Sequence, residues 1–270
     1  MTLLTPAAGN AGLLLLADSR VPSGGHVHSG GVEALVDRGL LRDVEDLTLF
    51  LAARIRTTAL VTASLTAAAN TAAANTAAAN TAAANTAANT AANTAANPVS
   101  GKWSYETTCH SRGWSCWDAA VEVRTPVAAL REASRAQGVA LLRTALLAWP
   151  QDGGVRALAE LGRPHQPLVL GAASAAAGAT PAQAAALAVH HLVGGAATAA
   201  VRLLGLDPLR VAAVQAGLAP LADETAARAT AAAELAVHAG DPDLLPADAT
   251  PLPEIMAELH HASEVTLFAS

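Results

Sequence analysis

Aromatic side chains make up only 3% of the 270 residues, although 52% are hydrophobic. The apolar content is therefore mostly alanine, leucine and valine, which excludes an aromatic-filled β core and favours closely packed helices. Basic residues are also scarce: 16 Lys and Arg stand against 22 Asp and Glu, the net charge is −6, and no basic block occurs. The phosphate-neutralising footprint of a nucleic-acid binder is missing, so no DNA or RNA partner is expected. Two cysteines, Cys109 and Cys116, are too few for a disulfide framework in a chain of this length and suit a reducing compartment. No basic n-region precedes the short apolar run 13–17, which Asp18 and Arg20 interrupt. No signal peptide is readable, and a cytoplasmic location is the expectation. One apolar window, 184–201, carries no formal charge. Its hydrophobicity comes chiefly from alanine, which drives insertion far less than leucine, so it reads as a buried core helix and no membrane is expected.

What is present is a succession of helix signals. A glycine-rich turn over 22–31 leads into a short helix over 32–37 that Gly39 can end. Asp43 and Asp46 form an acidic variant of a capping pair, and Val44, Leu47, Leu51 and Ile55 then recur at helical spacing, predicting a second helix. Thr125 as N-cap, with Pro126 at the first helical position, opens a long amphipathic helix that stops at Pro150. A further helix is expected over 166–177, ended by Gly178, and Thr180-Pro181-Ala182-Gln183 supplies a full capping box for the next one. Asp207-Pro208 starts another after Gly205, and a last long helix is expected over 221–239, with Gly240 as its stop. Residues 241–253, rich in proline and aspartate, read as a linker, and 252–270 as a tail. No strand is legible. The expectation is an all-α protein, a compact bundle of about seven to nine helices without a sheet.

From 66 to 97 the chain is a tandem repeat of Thr-Ala-Ala-Ala-Asn and then Thr-Ala-Ala-Asn, with no charge and no large side chain. A five-residue period advances about 500° around a helix axis, scattering Asn and Thr over every face, so the repeat reads as a loose helix or linker that anchors no core. The stretch 98–118 differs again, holding three of the four tryptophans, the only tyrosine and both cysteines. Residues 66–123 therefore read as an anomalous insertion. It separates an N-terminal part (1–65) from the remainder of one helical domain (124–240), which 241–270 follows as linker and partner-binding tail.

The densest motif runs from Leu14 through Asp18, Ser19, Pro22, Gly24, Gly25, His26, His28, Ser29, Gly30 and Gly31 to Glu33. Its glycines permit positive φ angles and close backbone approach, and Ser29 can cap the following helix. A phosphate-cradling loop would need the lysine and hydroxyl of a GKS or GKT ending, and a nucleophile elbow would read G-x-S-x-G; neither is present.

This segment resembles the N-terminal signature of the UreF family. That signature is a leucine-rich lead, then Asp or Ser before Ser, a proline, two glycines and an aromatic, and finally His or Trp, Ser, x, Gly, a hydrophobic residue and Glu. Asp18, Ser19, Pro22, Gly24, Gly25, His28, Ser29, Gly31 and Glu33 fit it, with His26 where the family has Phe or Tyr. Further matches come in order. Arg131 to Gly138 resembles the family's R-x-x-S-x-x-x-G helix, and Pro164-His165-Gln166-Pro167 through Gly171 follows. The helix ending in Arg202-Leu203-Leu204-Gly205 and the tail from His260-His261 to Leu267-Phe268 also resemble their UreF counterparts.

The resemblance implies a non-enzymatic, cytoplasmic, dimerising scaffold. With UreD (also called UreH) and the GTPase UreG it would deliver nickel to the urease apoprotein, modulating its partner's GTP hydrolysis. It implies partner-binding roles for Asp18, Ser19, His28, Ser29, Glu33, Arg131, Ser134, Gln137, Arg202, Leu267 and Phe268. No stably bound cofactor is implied, nickel being handled transiently by the complex. His26 and His28, or the pairs His190-His191 and His260-His261, could offer imidazole nitrogens to nickel. Adjacent helical histidines point about 100° apart, so structural roles are expected for the pairs. Two other readings stay open. One is a small helical membrane or ligand-binding protein with His165, His190 and His191 inside a pocket; the other is an enzyme using His28 and Ser29 with Asp18 or Glu33.

Overall fold

The computed structural model describes residues 10–18, 21, 29–91, 113–249, 254–256 and 258, with the side chains of 10 and 80–91 excepted. Ten helices and no strand occur among the described residues, as the all-α expectation requires. They are α1 (Asn10–Ala17), α2 (Val32–Asp37), α3 (Val44–Arg54), α4 (Leu60–Ala91), α5 (Trp114–Val123), α6 (Ala128–Ala148), α7 (Gly153–Ala159), α8 (Gln166–Ala176), α9 (Pro181–Leu204) and α10 (Pro208–Ala239). A π-helical turn, Ile55–Ala59, joins α3 to α4 without a break.

Local chemistry explains most boundaries. The Asp43 carboxylate accepts from the Asp46 amide and starts α3, whose Leu47 and Leu51 are fully buried, as is Ile55 just beyond it. Burying each such side chain is worth about 1.5–3 kcal/mol. Both reciprocal bonds of the Thr180–Gln183 capping box form at the head of α9. Gly39, Gly205 and Gly240 take positive φ just past α2, α9 and α10.

Three expected boundaries shift. The long helix α6 begins at Ala128, not at Pro126, because the Thr125 hydroxyl donates back to the Val121 carbonyl and closes α5. The two helices expected after Asp207 are a single α10 with Pro220 inside it, since a proline forfeits one ladder bond that a packed 32-residue helix can spare. The 241–253 stretch is not a free linker throughout. The Arg124 guanidinium donates to the carbonyls of Pro242, Leu245 and Pro246, pinning that segment beside α5.

The largest correction concerns the repeat. Helix α4 runs through the centre of the protein, against α7, α8, α9 and α10, and Ala67, Ala68, Ala69 and Ala73 are buried. Small side chains anchor a core here because the opposing helices are small as well. A Cβ on Gly171 of α8 would stand 2.3 Å from the Thr66 carbonyl oxygen, and one on Gly154 of α7 would stand 2.7 Å from the Ala73 methyl. Backbones this close have no room for leucine. Asn70 fixes the register: its buried amide donates to Ser174 Oγ at 3.0 Å and to the Ala179 carbonyl at 3.1 Å. Trp114, Trp117 and Val121 are buried too, so 66–73 and 114–121 pack as part of the body. Cys116, expected as a thiol, is disulfide-bonded.

Helix α9 covers the charge-free window. It is long and apolar enough to cross a membrane, and 56% of its apolar window is buried inside the protein.

Candidate functional site

Two motifs that stand apart in sequence meet in space. Residues 131–138 of α6 lie against the turn 163–167 that opens α8. A Cβ on Gly138 would sit 2.0 Å from the Pro164 carbonyl oxygen, so only glycine lets the helix approach. One turn earlier, Ser134 Oγ lies 3.1 Å from His165 Nδ1 and accepts from the Gln166 amide at 3.3 Å. Arg135 donates to the Arg163 carbonyl at 2.5 Å, to Asp118 at 3.1 Å and to Glu122 at 2.7 Å. Arg131 completes the cluster, its Nε 3.0 Å from Glu122 and its Nη1 donating to the carbonyls of Thr125 and Pro126.

His165 is the hub, 0% exposed, with Nε2 2.8 Å from Glu122 Oε2. Burial works to raise the Glu122 carboxyl, but hydrogen bonds from His165 and Arg135 outweigh it and hold the group below its ordinary value. Glu122 is therefore ionised and only accepts. Burial, and then the positive charge of Arg135, push His165 below its ordinary value against the pull of Glu122, so the ring is neutral. A neutral ring donating from Nε2 accepts at Nδ1, which leaves the Ser134 hydroxyl as donor.

Serine, histidine and carboxylate in line is the connectivity of an activated nucleophile. Here the relay is weakened, because Glu122 is shared with two arginines and the desolvated imidazole gains little from becoming charged. What the array does is tie α5, α6 and α8 together. Sequence reasoning found Arg131, Ser134 and His165 but not Asp118 or Glu122, whose segment looked foreign to the fold.

Several of the expected site residues do converge. Asp18, Ser134, Gln137 and Arg202 all line one cavity of about 580 Å³, together with Gly30, Gly31, Arg54, His190 and His191. Ser29 and Glu33 are buried beside it. Ser29 does not cap α2, whose N-cap is Gly31 with φ 89°, so that expectation is corrected. Arg131 is held in the charged cluster instead. His191 Nε2 donates to the Leu16 carbonyl at 2.9 Å, and burial, helped by His190, pushes its pKa down to about 4. His190 is exposed. Among the described residues no group of three or more His, Cys, Asp or Glu could hold a metal ion. Ser19, His26, His28, Leu267 and Phe268 lie outside the described residues.

The family model UreF matches residues 41–219. The chain is 41% identical over 261 residues to "Urease accessory protein UreF" of Mycobacterium sp. strain JLS, covering 96% of this chain and 97% of that protein. It is 40% identical over 262 residues to the protein of the same name from Mycolicibacterium vanbaalenii, with 96% and 98% covered. With that of Mycobacterium marinum it shares 36% over 258 residues, with 96% and 97% covered.

The chain belongs to the UreF family.

The UreF match takes in the whole Glu122–Ser134–His165 cluster and most of the cavity wall, Arg54, Gln137 and Arg202 included. The UreF chains it resembles are named as accessory proteins of urease and not as enzymes, and membership places this chain in urease maturation. Arg54 was missed by sequence reasoning, yet a signal existed. It stands three residues after Leu51, on the apolar stripe of α3 and not on the polar face.

Proposed function

We propose that this chain is a non-catalytic, cytoplasmic scaffold of urease maturation that acts as a homodimer with UreD and the GTPase UreG. In this reading nickel is the cargo of the complex, passed to apo-urease while the scaffold modulates GTP hydrolysis by its partner. Membership of the UreF family carries the proposal. The packing is consistent with it: a clamp of fixed charges orders the central helices, and a cavity joins residues from the N-terminal motif, α6 and α9. Order of that kind suits a docking platform, which loses little entropy on association.

The tail supplies the test. A chain truncated after Pro253 is expected to keep its helical content and fail to pull down UreD, whereas the full chain retains UreD and UreG and supports urease activation in the presence of nickel. Full retention of UreD by the truncated chain would overturn the tail assignment. Failure of the full chain to associate with either protein at micromolar concentration would overturn the scaffold reading.

A further inference from the structure

Two side-chain atoms among the described residues are enclosed without a hydrogen-bond partner: Ser29 Oγ and Arg54 Nε. Folded proteins leave few such atoms unpaired, and these two belong to one corner, since Arg54 Nη1 donates to the carbonyl of Gly30, the residue after Ser29. Arg54 is the last residue of α3, immediately before the π-helical turn, and π turns recur at functional positions because they re-aim the side chains around them.

The contacts of Arg54 define which part of it is available. Nη1 is taken by Gly30, and the guanidinium lies over the Phe50 ring, with Cζ 5.5 Å from the centroid. No described group bonds the Nε–Nη2 edge. That edge offers two parallel N–H donors in the spacing that a carboxylate accepts bidentately. Arg54 also lines the cavity of about 580 Å³, with the Gly30–Gly31 backbone beside it.

We propose that the Nε–Nη2 edge of Arg54, backed by the Ser29–Gly31 turn, is a carboxylate-binding site opening into this cavity. The bound group is a monoanionic carboxylate, carried either by a small molecule or by an acidic side chain of a protein segment. A phosphate dianion fits less well. Asp18, Asp248 and Glu254 line the cavity against Arg54, Arg124 and Arg202, and Arg124 is already engaged with backbone carbonyls, so no surplus of positive charge is available. Glu254 stands on the same wall and acts on Arg54 through charge alone, without a hydrogen bond. It is the competitor that an entering carboxylate must face. The site adds a ligand class that the scaffold reading does not require, and it stands or falls separately from the UreD and UreG assignments.

The test uses the full chain labelled with ¹⁵N-arginine. The Arg54 Nε–H resonance is identified by its NOEs to the Phe50 ring, then followed during titration with sodium acetate and, separately, with an end-blocked Ala-Glu-Ala-Glu-Ala peptide. Sodium chloride at matched ionic strength and inorganic phosphate serve as controls. Saturable movement of that resonance with either carboxylate, absent with chloride, is the expected result. Response to the peptide alone assigns the source to an acidic protein segment, and response to acetate assigns it to a small carboxylate. Glu254→Gln is expected to tighten binding roughly two- to fivefold by removing a nearby like charge. Arg54→Lys, which keeps the charge but loses the paired donors, is expected to abolish saturation. The site is overturned if the wild-type resonance shows no saturable movement at tens of millimolar carboxylate, or if phosphate binds more tightly than both probes. Should Arg54→Lys fail to fold, the wild-type titration and Glu254→Gln decide the matter alone.

Discussion

The Ser134 hydroxyl and the His165 imidazole, 31 positions apart in the chain, stand 3.1 Å from each other. The serine hydroxyl serves as donor to the ring and as acceptor for the Gln166 amide at once.

Ser134→Ala strips both partners and leaves a buried ring nitrogen and a buried amide unsatisfied. We expect a loss of about 1–3 kcal/mol in urea unfolding, with helical circular dichroism retained. A fluorophosphonate probe is expected to leave Ser134 unlabelled in the wild-type chain. Stoichiometric labelling there would show that the relay is reactive and not a clamp.

Two glycine substitutions are expected to move stability in opposite directions. Gly138→Ala places a methyl 2.0 Å from the Pro164 oxygen and forces α6 off the 163–167 turn, at a cost of about 1–3 kcal/mol or more. Gly217→Ala, in α10 with nothing within 4 Å of the new atom, should stabilise by about 0.5–1 kcal/mol through helix propensity. Thermal melts of the pair report this contrast directly.

Asn70 and Asn75 occupy equivalent places in the repeat, yet Asn70 is buried and bonded across to Ser174 and Ala179 while Asn75 is exposed. Asn70→Ala removes the cross-helix donor and is expected to cost about 1–2 kcal/mol, whereas Asn75→Ala is expected to be neutral or slightly stabilising. Equal effects in chemical denaturation would mean that α4 is not locked in this register.

Stability should also report the state of His191. Burial takes its pKa from the ordinary 6.5 to about 4 in the folded chain, so across that interval the unfolded state binds more protons than the folded one. Stability is then full above about 6.5 and declines as pH falls towards 4. His165, displaced in the same direction, adds to the trend. His191→Gln retains a donor for the Leu16 carbonyl without titrating and is expected to flatten the profile between those pH values. A wild-type profile that is already flat there would contradict the burial of this ring.

Much of the helical layout was legible because its signals are local. The Thr180–Gln183 box, the Asp43 and Asp207 caps and the glycines after α2, α9 and α10 act within one turn of chain, and family membership followed from motifs in linear order. What sequence reasoning could not supply was the value of small side chains. Ala67 to Ala69 carry no signal of burial until Gly171 and Gly154 arrive from other helices and bring the backbones together. The polar network was hidden for the same reason. Glu122 and His165 are 43 residues apart, and Arg54 and Gly30 are 24 apart. Caps, periodicity and composition thus determined that this chain is a set of α-helices, since each depends on hydrogen bonds between near neighbours. Which helix lies at the centre, and which polar groups share one cavity, only the tertiary structure decided, because close packing and charge pairing depend on distance in space.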